Sequence, residues 1–92
     1  MMKSKVMIKA IFPTIDKSYD VKIPVNELTW KINKLISKAI YDMNGIAIDV
    51  REDNFVMVNK ITGEIYKNNE AIIDTNIRNG TEILFLHENS VK

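Results

Sequence analysis

Few of the 92 residues could carry covalent or metal chemistry. His87 is the single histidine, and Glu88 is the carboxylate beside it. Acid–base or metal chemistry needs several such groups converging, so a solvated histidine at a strand end is expected. Asp49, Glu52 and Asp53 form a small acidic cluster. Their spacing departs from the alternating ligands of an EF-hand calcium loop, and a solvated loop is expected there. Cysteine is absent, which removes disulfides, thiolate metal sites and cysteine nucleophiles together. Gly45, Gly63 and Gly80 stand alone and cannot build a phosphate-cradling loop. The residues therefore predict no enzyme, no cofactor and no metal site, and attention moves to surfaces.

The totals narrow the partners. Formal net charge is +1, and only Arg51 and Arg78 supply guanidinium groups among thirteen basic residues. That is a poor footprint for nucleic acid, which needs a concentrated basic face. No segment approaches the ~18–20 apolar residues of a membrane span. The opening "MMKSKVMIKAIFP" lacks a small-residue cleavage site and reads as a strand, so a cytoplasmic location is expected. A length of 92 residues fits one domain, residues 1–92, with a core over about 5–87 and a short polar tail at 88–92.

The elements that must position any surface follow from periodicity. Val6, Ile8, Ala10 and Phe12 alternate with Lys5, Met7, Lys9 and Ile11, and Lys9 argues that the first set points inward. Pro13 ends the pairing, and Tyr19, Val21 and Ile23 alternate in a second strand of a hairpin. Leu28, Ile32, Leu35, Ile36, Ala39, Ile40 and Met43 then fall at helical spacing, over an arc of roughly 140°. Asn26 suits an N-cap, with Val25 and Trp30 as a hydrophobic staple, and Asn44-Gly45 suits the C-terminal stop. An irregular crossover follows from Ile46 to Asn54. Phe55 to Val58 reads as a strand, Ile65-Tyr66 as a short return strand, Ile72 to Ile77 as one turn capped by Asp74 or Thr75, and Glu82 to His87 as the last strand. The order is β-β-α-β-β-β.

That order, with one long helix after an N-terminal hairpin, resembles the ubiquitin-like β-grasp fold. "NGIAI" after the helix resembles ubiquitin's Glu-Gly-Ile-Pro turn, and "IIDTNIRNGTEILFL" resembles its Leu-Ser-Asp-Tyr-Asn-Ile loop and final strand. The match implies that Ile72 and Ile77 anchor the loop in the core, with Asp74 and Asn76 as its polar pair. "VMVNK", "IRNGTEILFL" and "INKLISKAI" further resemble the YukD/EsaB family, small ubiquitin-like proteins of type VII (WXG100) secretion systems of Gram-positive bacteria. The resemblance runs from about Val6 to Leu86. This chain departs by a longer first hairpin turn, a longer crossover after Gly45 and extra residues after the last strand.

The resemblance implies an α+β fold, a mixed sheet of four to five strands packed on one amphipathic helix. It also implies a non-conjugated accessory or regulatory role. The expected partner is a protein, a cytoplasmic part of the secretion machinery, and contact with the membrane would come only through that partner. A monomer or weak homodimer is expected. The alternative is a covalent modifier or sulfur carrier, whose chemistry activates a C-terminal Gly-Gly. The sequence ends "HENSVK", which disfavours that mechanism.

In such a fold the sheet buries one face under the helix. With Ile83 and Phe85 inward, Leu84 and Leu86 point outward, because neighbours alternate across a strand. The same reasoning applied to "FVMV" sets Val56 and Val58 inside and Met57 outside. Met7, Ile11, Met57, Leu84 and Leu86, rimmed by Lys5 and Lys9, are the expected protein-binding patch. Trp30, Lys34 and Tyr41, together with Ser37, share a stripe on the back of the helix and form a second candidate, since aromatic side chains often anchor interfaces.

Overall fold

The computed structural model describes residues 4–49, 51 and 53–88. Glu52 of the acidic cluster and the tail from residue 89 onward lie outside the described residues. Strand β1 (Lys5–Phe12) and strand β2 (Lys17–Pro24) form an antiparallel hairpin, with Ile8 opposite Val21 and Ala10 opposite Tyr19. Alternation fixes the faces: Ile8, Ala10 and Phe12 are fully buried, while Met7, Lys9 and Ile11 take the other side. The connection is one 3-10 turn, Pro13–Ile15, closed by Asp16 in the left-handed region that aspartate tolerates better than most side chains.

Helix α1 (Thr29–Met43) starts two residues later than its sequence suggests. Leu28, not Asn26, holds the N-cap position, and no side chain caps it. The chain itself takes that role: Thr29 N–H donates to the Glu70 carbonyl at 2.8 Å and Trp30 N–H to the Asn68 carbonyl at 3.1 Å. Residues 25–27 are held by the same stretch, with Ile73 N–H on the Val25 carbonyl and Ile72 N–H on that of Glu27. Trp30 is therefore the second helical residue, and neither it nor Val25 occupies the position a hydrophobic staple uses. The other end follows expectation. Ile46 N–H reaches the Tyr41 carbonyl and Gly45 N–H that of Asp42, a Schellman motif with Gly45 at φ 73.

The helix is also rotated about its axis relative to its apolar arc. Ile32, Ile36 and Ile40 are buried as expected, but Thr29, Asn33, Ser37 and Tyr41 complete the buried face. Leu35 and Met43 are left 61% and 66% exposed. The cause is hydrogen bonding. Thr29 Oγ1 donates to the Glu70 carbonyl, Asn33 Nδ2 to the Phe55 carbonyl at 2.6 Å, and Ser37 Oγ to Asn33 Oδ1. The Asn33 bond ties one flank of α1 to the third strand, Thr29 ties the first turn to the loop at Glu70, and Ser37 supports Asn33, since buried polar groups demand such partners.

Strand β3 (Phe55–Asn59) runs antiparallel to strand β4 (Glu82–His87), which lies parallel to β1, so the sheet order is β2-β1-β4-β3. The expected return strand reduces to a single bridge between Ile65 and Val58. Asn59 organises that turn from inside the fold: its Oδ1 accepts from the Ile61 and Thr62 N–H groups, and its Nδ2 donates to the Tyr66 hydroxyl. Tyr66 in turn donates to Asn76 Oδ1 at 2.7 Å, and burial pushes its hydroxyl pKa up, opposed by the Asn59 bond. Ile72, in a 3-10 turn Ile72–Asp74, and Ile77 are both buried anchors of the following loop. Of the expected polar pair, Asn76 joins the Tyr66 network and Asp74 faces solvent. At the centre, Phe12 stacks on Phe85 at 4.8 Å and meets Tyr41 and Phe55 edge-on.

Candidate functional site

The expected patch lies on the sheet face opposite the helix, and register decides its membership. β3 pairs Val56 with Leu86, Met57 with Phe85 and Val58 with Leu84. Residues directly opposite in a ladder share a face, so Met57 goes inward with Phe85 and is 1% exposed. Its expected place on the binding surface is thus corrected, and so is the inward placement of Val56 and Val58. The two valines stand half-buried on the outer face.

Leu84 lies between Val58 on one side and Ile11 on the other, because β1 and β4 pair Ile11 with Leu84. Leu86 and Val56 form the adjacent row. Four apolar side chains on two strands and a fifth on β1 therefore make one outer patch: Ile11, Val56, Val58, Leu84 and Leu86. Met7 is outward too, at 39% exposed, but Lys9 stands between it and Ile11 on the same face. Lys9 pairs with Glu82, and Glu82 also meets Lys60 at 3.4 Å. The rim thus carries Lys9 and Lys60 with Glu82 between them, and Lys5, expected there, lies beyond Met7 at the far end of β1.

The helix-back candidate separates into parts. Tyr41 is 4% exposed and packs against Phe12 and Phe55, so it belongs to the core and not to a surface. Ser37 is buried as well, so this half of the expected stripe lies on the inner face of the helix and not on its back. Trp30 remains 41% exposed, and with Lys34 it lines a cleft of about 490 Å³ between α1 and β3. Phe55, Ile65, Tyr66 and Glu88 complete its walls.

His87 has a companion that sequence proximity did not suggest. Its Nε2 lies 2.9 Å from Asp53 Oδ1, and its ring meets Phe55 edge-on. Asp53 also accepts the Asp49 N–H at 2.8 Å, and that bond, followed by the one to His87, holds its carboxyl below the usual range. The signal would have been the tertiary pairing of Phe55 with His87, which brings the residues before β3 to the end of β4. Because the folded state favours the charged carboxylate, its stabilisation is present above the ordinary carboxylate pKa and is lost as pH falls through the lowered one. Denaturant midpoints for the wild type and Asp53→Asn should therefore differ most above the ordinary carboxylate range and converge as pH falls well below it. A gap that stays constant over that range would refute the assignment. Among the described residues, no group of three His, Cys, Asp or Glu could hold a metal ion, and no helix is long and apolar enough to cross a membrane.

A four-stranded mixed sheet closed over one helix, with β1 and β4 parallel at its centre, is the ubiquitin-like β-grasp fold. No family model and no curated protein matches the chain. Solved structures do. An N-terminal ubiquitin-like domain determined in solution superposes with a TM-score of 0.68 at 14% identity, over 92% of this chain and 76% of that one. A chain of toluene 4-monooxygenase in its HD complex with the inhibitor 4-bromobenzoate gives 0.70 at 15% identity, over 92% of this chain and 100% of that one. A chain of an ESX-5 inner membrane complex gives 0.66 at 8% identity, over 90% of this chain and 21% of that one.

Proposed function

We propose that this chain is a ubiquitin-like protein-binding module that acts by docking and not by catalysis. In this reading it is a cytoplasmic, non-conjugated accessory component of a type VII secretion system, of the YukD/EsaB kind. The observation that carries the docking role is the outer patch, in which Ile11, Leu84 and Val58 line up across three strands beside Leu86 and Val56. Contiguous apolar area on an outer sheet face marks contact surfaces more often than chance exposure does. The fold's presence in a chain of an ESX-5 inner membrane complex supports the choice of machinery, as do the sequence motifs of the helix and last strand.

Docking would bury the leucines and leave the lysine rim to meet acidic groups of the partner. Leu84→Asp removes an outward side chain without touching the core, so circular dichroism should show an unchanged fold. Co-purification of the secretion component should be lost, with affinity reduced roughly thirtyfold or more, as for an interface anchor. Folded Leu84→Asp and Leu86→Asp variants that still bind normally would overturn the site. Mass spectrometry of cell extract tests the non-conjugated role, which an isopeptide-linked form would refute.

A further inference from the structure

We propose that the free edge of β2 is a homodimer interface, in which two copies pair β2 with β2 antiparallel about a two-fold axis through Val21. This goes beyond the docking role and uses a different surface. Among the described residues β2 has one sheet neighbour, β1, and its eight residues form an outer edge of the sheet. Beyond Pro24 the strand has ended and the chain is engaged elsewhere, since Ile73 N–H bonds the Val25 carbonyl. The unpaired length is therefore Lys17–Pro24.

The hydrogen-bond phase of the strand sets what it can accept. Val25 N–H donates to the Ser4 carbonyl, and bonded pairs recur at every second residue of an antiparallel ladder. Tyr19, Val21 and Ile23 thus use their backbone groups on β1, and Ser18, Asp20 and Lys22 point theirs outward. Pro24, which lacks an N–H, falls in the outward set and costs the β1 ladder nothing.

Lysines and a proline on an edge ordinarily discourage pairing with other chains. One two-fold register turns the charges to advantage, at the cost of one backbone bond at each end, where Pro24 without an N–H faces Ser18 of the second copy. With the axis at Val21, each Asp20 faces the Lys22 of the second copy, and these two outward residues exchange both backbone bonds. On the opposite face each Tyr19 meets Ile23 of the second copy, and the two Val21 side chains meet at the closer, non-bonded position. Moving the axis to residue 20 sets Asp20 against its own copy, and moving it to residue 22 does the same with Lys22. Like charges directly opposite are destabilising, which excludes those two registers, and among the two-fold registers of this strand only the axis at Val21 sets opposite charges face to face.

The helix supplies the second observation. Its polar-anchored flank faces β3 through the bond from Asn33 to Phe55, so Leu28, Leu35 and Ala39 lie on the flank toward β2. Leu28 is 38% and Leu35 is 61% exposed there. The bond between Asn44 Nδ2 and the Tyr19 hydroxyl shows α1 returning alongside β2. A two-fold axis perpendicular to the joined sheet puts both helices on one side, with their apolar flanks facing each other across Tyr19 and Val21 of both copies. The outer patches stay open on the opposite side.

Sedimentation equilibrium tests this with the full chain. The wild type should form a reversible dimer. Asp20→Lys alone and Lys22→Asp alone should each raise the dissociation constant about tenfold or more, because two attractive pairs become repulsive. Both positions are exposed, and circular dichroism should confirm an intact fold. An equimolar mixture of the two variants should dimerise again, since every introduced charge then faces its opposite. A wild type that stays monomeric at millimolar concentration would overturn the proposal. So would single variants that dimerise as the wild type does, or a mixture that remains monomeric.

Discussion

Met57→Asp is expected to leave little folded protein at 25 °C, whereas Val58→Asp, one residue along, keeps the fold and loses only the docking surface. Met57 is 1% exposed and lies opposite Phe85 in the ladder. Truncating a buried methionine costs about 2–5 kcal/mol. Leaving a carboxylate there without a partner adds several more, or forces it to stay protonated. Domains of this size have only about 5–15 kcal/mol of stability to lose. Val58 points the other way, toward Leu84 and water, where a carboxylate stays solvated. Far-ultraviolet circular dichroism of the pair decides the matter. A folded Met57→Asp beside an unfolded Val58→Asp would mean that the β3 register is off by one residue, since a one-residue slip exchanges the two faces.

Phe12→Ala carries the second large effect. Phe12 is fully buried, stacked on Phe85 at 4.8 Å and edge-on to Tyr41 and Phe55, so one truncation removes contacts to β3, β4 and α1 together. The expected loss is about 3–5 kcal/mol. At roughly 4–8 °C per kcal/mol for a domain of this length, the melting temperature should fall by about 12 °C or more. Ile61→Ala is the control, because Ile61 is 76% exposed and its removal should change stability by less than about 0.5 kcal/mol. Equal effects at both positions would contradict the core as described.

The contrast between Met57 and Leu84 shows what could be read from sequence. The hairpin was legible because Lys9 and Asp20 fall in the polar half of the alternation of β1 and β2 and label a solvent face. β4 was legible for the opposite reason: the match to the last strand of ubiquitin supplied the parity that "EILFLH" lacks on its own. β3 had neither help. "FVMV" is apolar throughout, and Asn59, the one polar residue of the strand, is buried as the organiser of the following turn. A polar residue that points inward misleads any reading by alternation.

The helix failed in a similar way. Its richest apolar arc includes Leu35, Ala39 and Met43, but the rotation is set by Thr29, Asn33 and Ser37, which find hydrogen-bond partners in the interior. Its start was misread because the cap comes from carbonyls forty residues further along the chain, outside any local pattern. The pairing of His87 with Asp53 belongs to the same class, being a product of strand register and not of spacing.

The strand order has a consequence for how the protein is made. β4 is the last of the four strands to be synthesised, yet it sits between β1 and β3 and supplies one side of the aromatic stack. While the chain is still emerging from the ribosome, the hairpin and the helix can form from what is near them, but β3 has no sheet neighbour and Phe12 no Phe85. Closure must wait until His87 has cleared the exit tunnel, so the fold completes after translation of its own core, in one late step joining the two ends of the sequence. Until then the inner faces of β1 and β3 are exposed together, and that interval is when the nascent chain most needs protection from its neighbours.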